Sequence, residues 1–189
     1  MAAYSDLVSV VEAWAYNGTL WTWTGVPQSR NAIAHAEENS WSPQETVMRL
    51  VWRRWEPRPL LCNVPVFDRA GRHLATPDLL DPEGGVMGEY DGEQHLLGSQ
   101  RARDVRRESA IRAAGLEYVT MLAADHVDHY ASFLMRLEST YARSRFDAES
   151  DRAWTITPPP WWVDTTTVAA RRGLDPLLRS RLLKHRHVA

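Results

Sequence analysis

Three short apolar runs lie between Leu61 and Asp91, and two tight-turn signals separate them. Leu61 to Phe67 is the first run, and Asp68-Arg69-Ala70-Gly71 after it reads as a hairpin turn. Residues 72–80 are the second, ending at Asp78-Leu79-Leu80. Asp81-Pro82-Glu83-Gly84-Gly85 turns the chain again, and Val86 to Asp91 is the third. Strands joined by connections this short pair as antiparallel neighbours, because a parallel pair needs a crossover of about a dozen residues or more. The segment therefore predicts an antiparallel meander.

The flanking segments supply helices. Ser42-Pro43-Gln44-Glu45 is a helix start, with serine to cap, proline at the first helical position and Glu45 to complete a capping box. Val47, Leu50, Val51 and Trp55 follow at three- and four-residue spacing, and Pro57 and Pro59 end the helix. Residues 100–114 predict a polar helix closed by Gly115, and Glu117 to Leu122 a fourth strand. That strand follows a crossover helix, so it is expected to pair in parallel with an earlier one. Residues 125–144 predict a long helix with Val127, Tyr130, Leu134, Leu137 and Tyr141 on its buried face. The order α-β-β-β-α-β-α gives an α/β fold, a mixed central sheet flanked by helices.

Around this core, which spans residues 42–145, two further stretches are expected. Residues 1–41 form a helical extension, with helices at 4–16 and 28–38 and a short strand at Trp21 and Trp23. Residues 146–189 are a proline- and tryptophan-containing linker followed by a basic helical tail from Val168 to Leu183, interrupted at Gly173 to Pro176. Trp161 and Trp162, after three prolines, are expected to fold back over the sheet or to meet a partner.

Composition excludes several classes. A chain of 189 residues can bury a core without staples. Cys62 is the only cysteine, so an internal disulfide and a cysteine zinc site are both impossible, in keeping with a reducing cytoplasm. No apolar run reaches the ~18 residues of a membrane span, and no secretion signal opens the sequence. The net charge is −2 but unevenly placed. Residues 101–112 carry five arginines against Asp104 and Glu108, and residues 168–189 carry five arginines and Lys184 against Asp175. Such stretches read either as solvated helix faces or as a phosphate-binding footprint.

The acids of the meander carry the chemistry. Glu89 and Asp91 are two apart on one strand and share a face. Asp78, at the end of the preceding strand, comes beside Glu89 if the two strands pair. Oxygen-only ligands of this kind suit Mg²⁺ or Mn²⁺, which lowers the pKa of a bound water and neutralises charge growing on a phosphate.

Pro77-Asp78, ten residues, and Glu89-Tyr90-Asp91 resemble the signature of PD-(D/E)XK (restriction-endonuclease-like) nucleases. The wider run resembles a nuclease-like family of uncharacterised bacterial proteins, common in actinobacteria and related to very-short-patch repair endonucleases. It comprises Glu45, Asp78, the Glu-x-Asp-Gly-x-x-His run from Glu89 to His95, Asp104-Val105-Arg106-Arg107 and Ala114-Gly115. The resemblance covers residues 42 to about 125. It implies a restriction-endonuclease-like core and metal-dependent DNA endonuclease activity in repair, restriction or defence. By the resemblance, Asp78 and Glu89 hold the metal and Glu45 is an additional ligand. Asp91 stands where that fold's lysine usually stands. His95 acts as general acid or base, and Arg103, Arg107 and Gln94 meet DNA. The alternative is a catalytically degenerate nuclease fold that binds nucleic acid or a protein, as a homodimer or with a partner.

Each of these residues also has a structural reading. Glu45 can serve only its capping box, Asp91-Gly92 is an ordinary turn pair, Asp78 can merely end a strand, and Asp104 with Arg107 can be a surface ion pair. Asp125, His126, Asp128 and His129 form a second acidic and histidine cluster, expected to be a polar helix start.

Overall fold

A computed structural model of the protein describes residues 2–21, 23–92 and 108–183. The chain divides into two units, one comprising residues 42–162 and the other residues 1–41 together with 163–189. The stretch expected to run as one tail from residue 146 is thus split, and its second part belongs with the N-terminal extension.

The larger unit is a mixed α/β structure. Its main sheet has the order β1-β4-β5-β6, from β1 (Leu61–Cys62), β4 (Leu79–Asp81), β5 (Val86–Asp91) and β6 (Glu117–Leu122). A second sheet has the order β3-β2-β7, from β2 (Val66–Asp68), β3 (His73–Ala75) and β7 (Trp154–Thr155). The first two predicted strands do pair with each other, but as two pieces each, Leu61↔Leu80 in one sheet and Val66↔Ala75 in the other. The break falls at Asn63, whose φ of 49° is left-handed, and at Pro65 and Pro77, which cannot donate to a ladder. The parallel partner of β6 is β5, with Glu89 beside Thr120 and Asp91 beside Leu122.

Two apolar layers sandwich the main sheet. One face carries Leu79, Val86, Val119 and Met121, packed on Met48 and Trp52 of α3 (Pro43–Trp55) and on Phe133 and Leu137 of α5 (Ala131–Tyr141). The other face carries Leu80 and Met87, packed on Val66, Ala75 and Trp154 of the second sheet and on Ile111 and Leu116. Ile111 belongs to α4, described from residue 108 to 113 and closed by Gly115 at φ +85°. Gly88 lets α3 approach, since a Cβ there would lie 2.5 Å from the Trp52 ring. Trp55, the last of the residues expected at helical spacing on α3, is 38% exposed. It sits at the end of α3, tilted on Tyr141.

A polar knot closes this layer. Trp52 Nε1 donates to the Tyr141 hydroxyl at 3.0 Å, and that hydroxyl donates to Asp81 at 2.6 Å. Asp81 is fully buried, accepts the backbone N–H groups of Glu83 and Gly84, and pairs with Arg58 at 3.3 Å. Burial, and then the bond to Asp81, push the Tyr141 phenol far above its ordinary pKa.

The predicted helix 125–144 is shorter. Residues 123–128 form a 3-10 turn, His129 and Tyr130 are both left-handed, and α5 begins only at Ala131. The region around Trp161 and Trp162 does fold back. Their rings stand edge-on to Phe67 at 6.1 and 5.1 Å, and Trp162 stacks on His73.

In the smaller unit, α1 (Val10–Gly18) starts later than expected because Ser9 and Glu12 form a full capping box. α2 spans Val26–Ala34, and Trp21 and Trp23 are exposed and outside any strand. The basic tail forms α6 (Val168–Arg172) and α7 (Pro176–Leu182). Asp6 binds both Arg171, which is fully buried, and Arg179. Glu12 pairs with Arg172 at 2.6 Å. Glu38 caps two helices at once, accepting from Val10 N and Val168 N at 2.7 Å each. Three of the arginines expected as a phosphate footprint are therefore engaged inside the unit.

No helix among the described residues is long and apolar enough to cross a membrane.

Candidate active site

The acids of interest collect at one end of the main sheet. β4 and β5 run antiparallel, with Leu79 opposite Gly88 as the last pair toward the acids. Glu89 lies on the face of Met87, and Asp91, two residues beyond it, shares that face. Asp78 precedes the first paired residue of β4, and its carboxylate accepts the Tyr90 N–H at 2.7 Å. That bond extends the ladder by a side chain where the backbone pairing stops.

Glu89 is oriented across the parallel pair. The Tyr118 hydroxyl donates to its carboxylate at 2.8 Å, and Tyr118 lies beside Met87 in the register. Glu45 arrives from the other layer. Ser42 caps α3 by accepting the Glu45 N–H at 3.1 Å, and the buried Glu45 carboxylate accepts from Asn63 Nδ2 at 2.7 Å. Asn63 in turn donates its backbone N–H to the Asp78 carbonyl at 3.1 Å. Asn63 thus ties Glu45 to Asp78 from a left-handed backbone.

Sequence reasoning missed Asn63, Tyr118 and Arg49. Arg49 is 1% exposed and one helical turn beyond Glu45, a spacing visible in the sequence. Asn63 had a signal too, as an asparagine inside an apolar run, since asparagine tolerates the left-handed region. Tyr118 had none, because its partnership depends on the parallel register.

His95, Gln94, Arg103, Asp104 and Arg107 lie outside the described residues. Among the described residues no group of three or more histidine, cysteine, aspartate or glutamate side chains is arranged to hold a metal ion. Of the expected triad, Asp78 accepts the Tyr90 N–H, Glu89 accepts the Tyr118 hydroxyl, and Asp91 is exposed. An oxygen-only pair matches the way Mg²⁺ is usually held, by one or two carboxylates with several waters retained.

The second acidic cluster is structural. Asp125 accepts the Leu122 N–H at 2.7 Å and pairs with Arg136. Asp128 accepts the Ser132 N–H at 3.0 Å, and His126 Nδ1 bonds the Ala123 carbonyl. These contacts satisfy the polar start of α5.

Compared with known proteins, the chain gives no significant match to a family model, to a curated protein or to a solved structure.

Proposed function

We propose that the protein is a metal-dependent endonuclease-like hydrolase of DNA phosphodiester bonds, built on a restriction-endonuclease-like core. The observation that carries this reading is the hydrogen bond of Asp78 to the N–H of Tyr90, the residue next to Glu89, with Glu45 tied to Asp78 through Asn63. Asp78 and Glu89 would hold Mg²⁺ or Mn²⁺, with Glu45 behind them. When bound, the ion supplies an activated water and neutralises charge on the phosphate. The residues themselves do the positioning. The Tyr90 N–H and the Tyr118 hydroxyl fix the directions of the two carboxylates, and Asn63 fixes Glu45.

The acidic character of Asp78, Glu89 and Glu45 also supports hydrolysis over plain binding. Carboxylates beside a phosphate repel it unless a cation intervenes, so a metal-free binder gains nothing from them.

A second reading is favoured by one observation. By the resemblance Asp91 stands where such nucleases usually carry a lysine, and among the described residues no group of three or more histidine, cysteine, aspartate or glutamate side chains could hold a metal ion. A nuclease fold that has lost catalysis and holds nucleic acid or a protein fits that departure.

Supercoiled plasmid incubated with Mg²⁺, Mn²⁺ or EDTA separates the two. Nicking that needs metal and disappears in Glu89→Gln is expected. Binding of DNA with no cleavage in any metal would replace hydrolysis by the second reading.

A further inference from the structure

On the opposite face of β5 from Glu89 lies a pocket of ≈ 170 Å³, at the C-terminal ends of the parallel strands β5 and β6. Its walls come from Tyr90 and Met121 on the strands, Val47 and Gln44 on the first turns of α3, and His126 and Tyr130 before α5. Ligands of α/β sheets gather at the carboxyl ends of parallel strands. The volume is below the ~300–1,000 Å³ of pockets for drug-sized ligands and suits a single flat ring system.

The chemistry of the lining is that of a base site. Two phenol rings and a methionine offer flat and polarizable apolar surface. Gln44 brings both an amide donor and an amide acceptor. The His126 Nδ1 contact with the Ala123 carbonyl makes Nδ1 the donor, so the neutral ring presents Nε2 as an acceptor. The Tyr90 and Tyr130 hydroxyls make no hydrogen bond among the described residues. Tyr130 reaches the pocket from a left-handed backbone, φ 68°, directly after His129 at φ 55°. Bulky side chains seldom hold that conformation, and where they do they often serve a site.

Tyr90 joins the pocket to the acids. Successive strand residues point to opposite faces, so the ring of Tyr90 enters the pocket while Glu89 and Asp91 flank it on the other side. The Tyr90 N–H is the group held by Asp78. We infer that this pocket seats one nucleobase of the strand whose phosphate lies at Glu89, an inference that rests on the proposed reading of that site. Base–aromatic stacking provides the affinity, and Gln44 and His126 read the base edge.

The test is an NMR titration of the full chain, without metal, with each of the four deoxynucleoside monophosphates and with deoxyribose 5-phosphate as the base-free control. Saturable shifts of the Tyr90, Tyr130 and His126 ring signals are expected with at least one nucleotide and not with the sugar phosphate. Gln44→Ala combined with His126→Gln, both at exposed positions, should weaken that binding about tenfold, or ~1.4 kcal/mol. No ring shift at millimolar nucleotide, or equal shifts with the sugar phosphate, would overturn the inference. Plasmid nicking distinguishes the two readings. A chain that binds bases here yet cuts nothing keeps the pocket and loses the hydrolase, and a chain that cuts without ring shifts does the reverse.

Discussion

In the smaller unit Tyr4, Val26, Val168 and Leu183 are the buried apolar side chains among the described residues, and Asp6, Glu12 and Glu38 tie its two segments together. In the larger unit two apolar clusters fill both faces of the main sheet, beside the buried charged residues Glu45, Arg49, Asp81 and Asp125. The contrast is between directional and non-directional cohesion. Apolar burial, at roughly 25 cal/mol per Å², tolerates small shifts of the chain. A buried guanidinium tolerates none, because its fixed fork must meet its acceptors and an unmatched charge is costly.

Deleting the chain from Val163 onward should have the largest effect on this contrast. Residues 1–41 would lose Arg171, Arg179 and the Val168 contact to Glu38, and α1 and α2 should unfold while residues 42–162 keep a cooperative transition. Circular dichroism of the truncated chain reads this directly, and surviving N-terminal helices would break the comparison. Trp52→Ala should cost the larger unit about 3–5 kcal/mol, as a buried aromatic leaves a cavity and Tyr141 loses a donor. Urea unfolding followed at β5 and β6 amides should show that loss with α1 amides unchanged. Asp6→Ala leaves Arg171 buried without its carboxylate and should cost the smaller unit about 3 kcal/mol, with the opposite pattern of affected amides. Gly88→Ala drives a methyl into Trp52 and should cost ~1–3 kcal/mol in the larger unit. A melting temperature equal to wild type would show that α3 can withdraw.

Acid gives the mildest test. The hydrogen bond from Arg172, then that from the Ser9 backbone, hold Glu12 well below its ordinary value of 4.5, at about 2. A carboxylate with a depressed folded pKa stabilises fully above its unfolded value, and that contribution fades as pH falls through the folded one. The protection of α1 amides, taken relative to their intrinsic exchange rates at each pH, should therefore fall between pH 4.5 and about 2. Asp68 and Asp128, also lowered, belong to a unit whose apolar clusters do not titrate. Strands β5 and β6 should hold in that window, and simultaneous loss of both regions would remove the distinction.

What the sequence disclosed follows the range of the forces involved. β5 and β6 have the predicted bounds, Val86–Asp91 and Glu117–Leu122, because turn residues and a closing glycine delimit them locally. α3 was legible from Ser42 and Pro43 for the same reason. The kink at Asn63 was hidden by apolar neighbours that suit either sheet, and the short start of α5 by a helical pattern that continues through His129 and Tyr130. Ser9 and Glu12 spelled a capping box that the apolar spacing of residues 4–16 masked. At the candidate site, the antiparallel pairing of β4 with β5 was readable, since a tight turn fixes hairpin register. The roles of Asn63 and Tyr118 were not, as each joins elements far apart in the chain. The engagement of Arg171 with Asp6 spans nearly the whole chain and leaves no local trace.

The double cap by Glu38 sets an order of assembly. During synthesis residues 1–41 emerge before residues 42–162, and α6, whose first turn Glu38 also caps, only after them. Until then Asp6 lacks Arg171 and Glu38 lacks the Val168 N–H. The larger unit can therefore mature first, and the smaller one closes later, when its second segment meets its first.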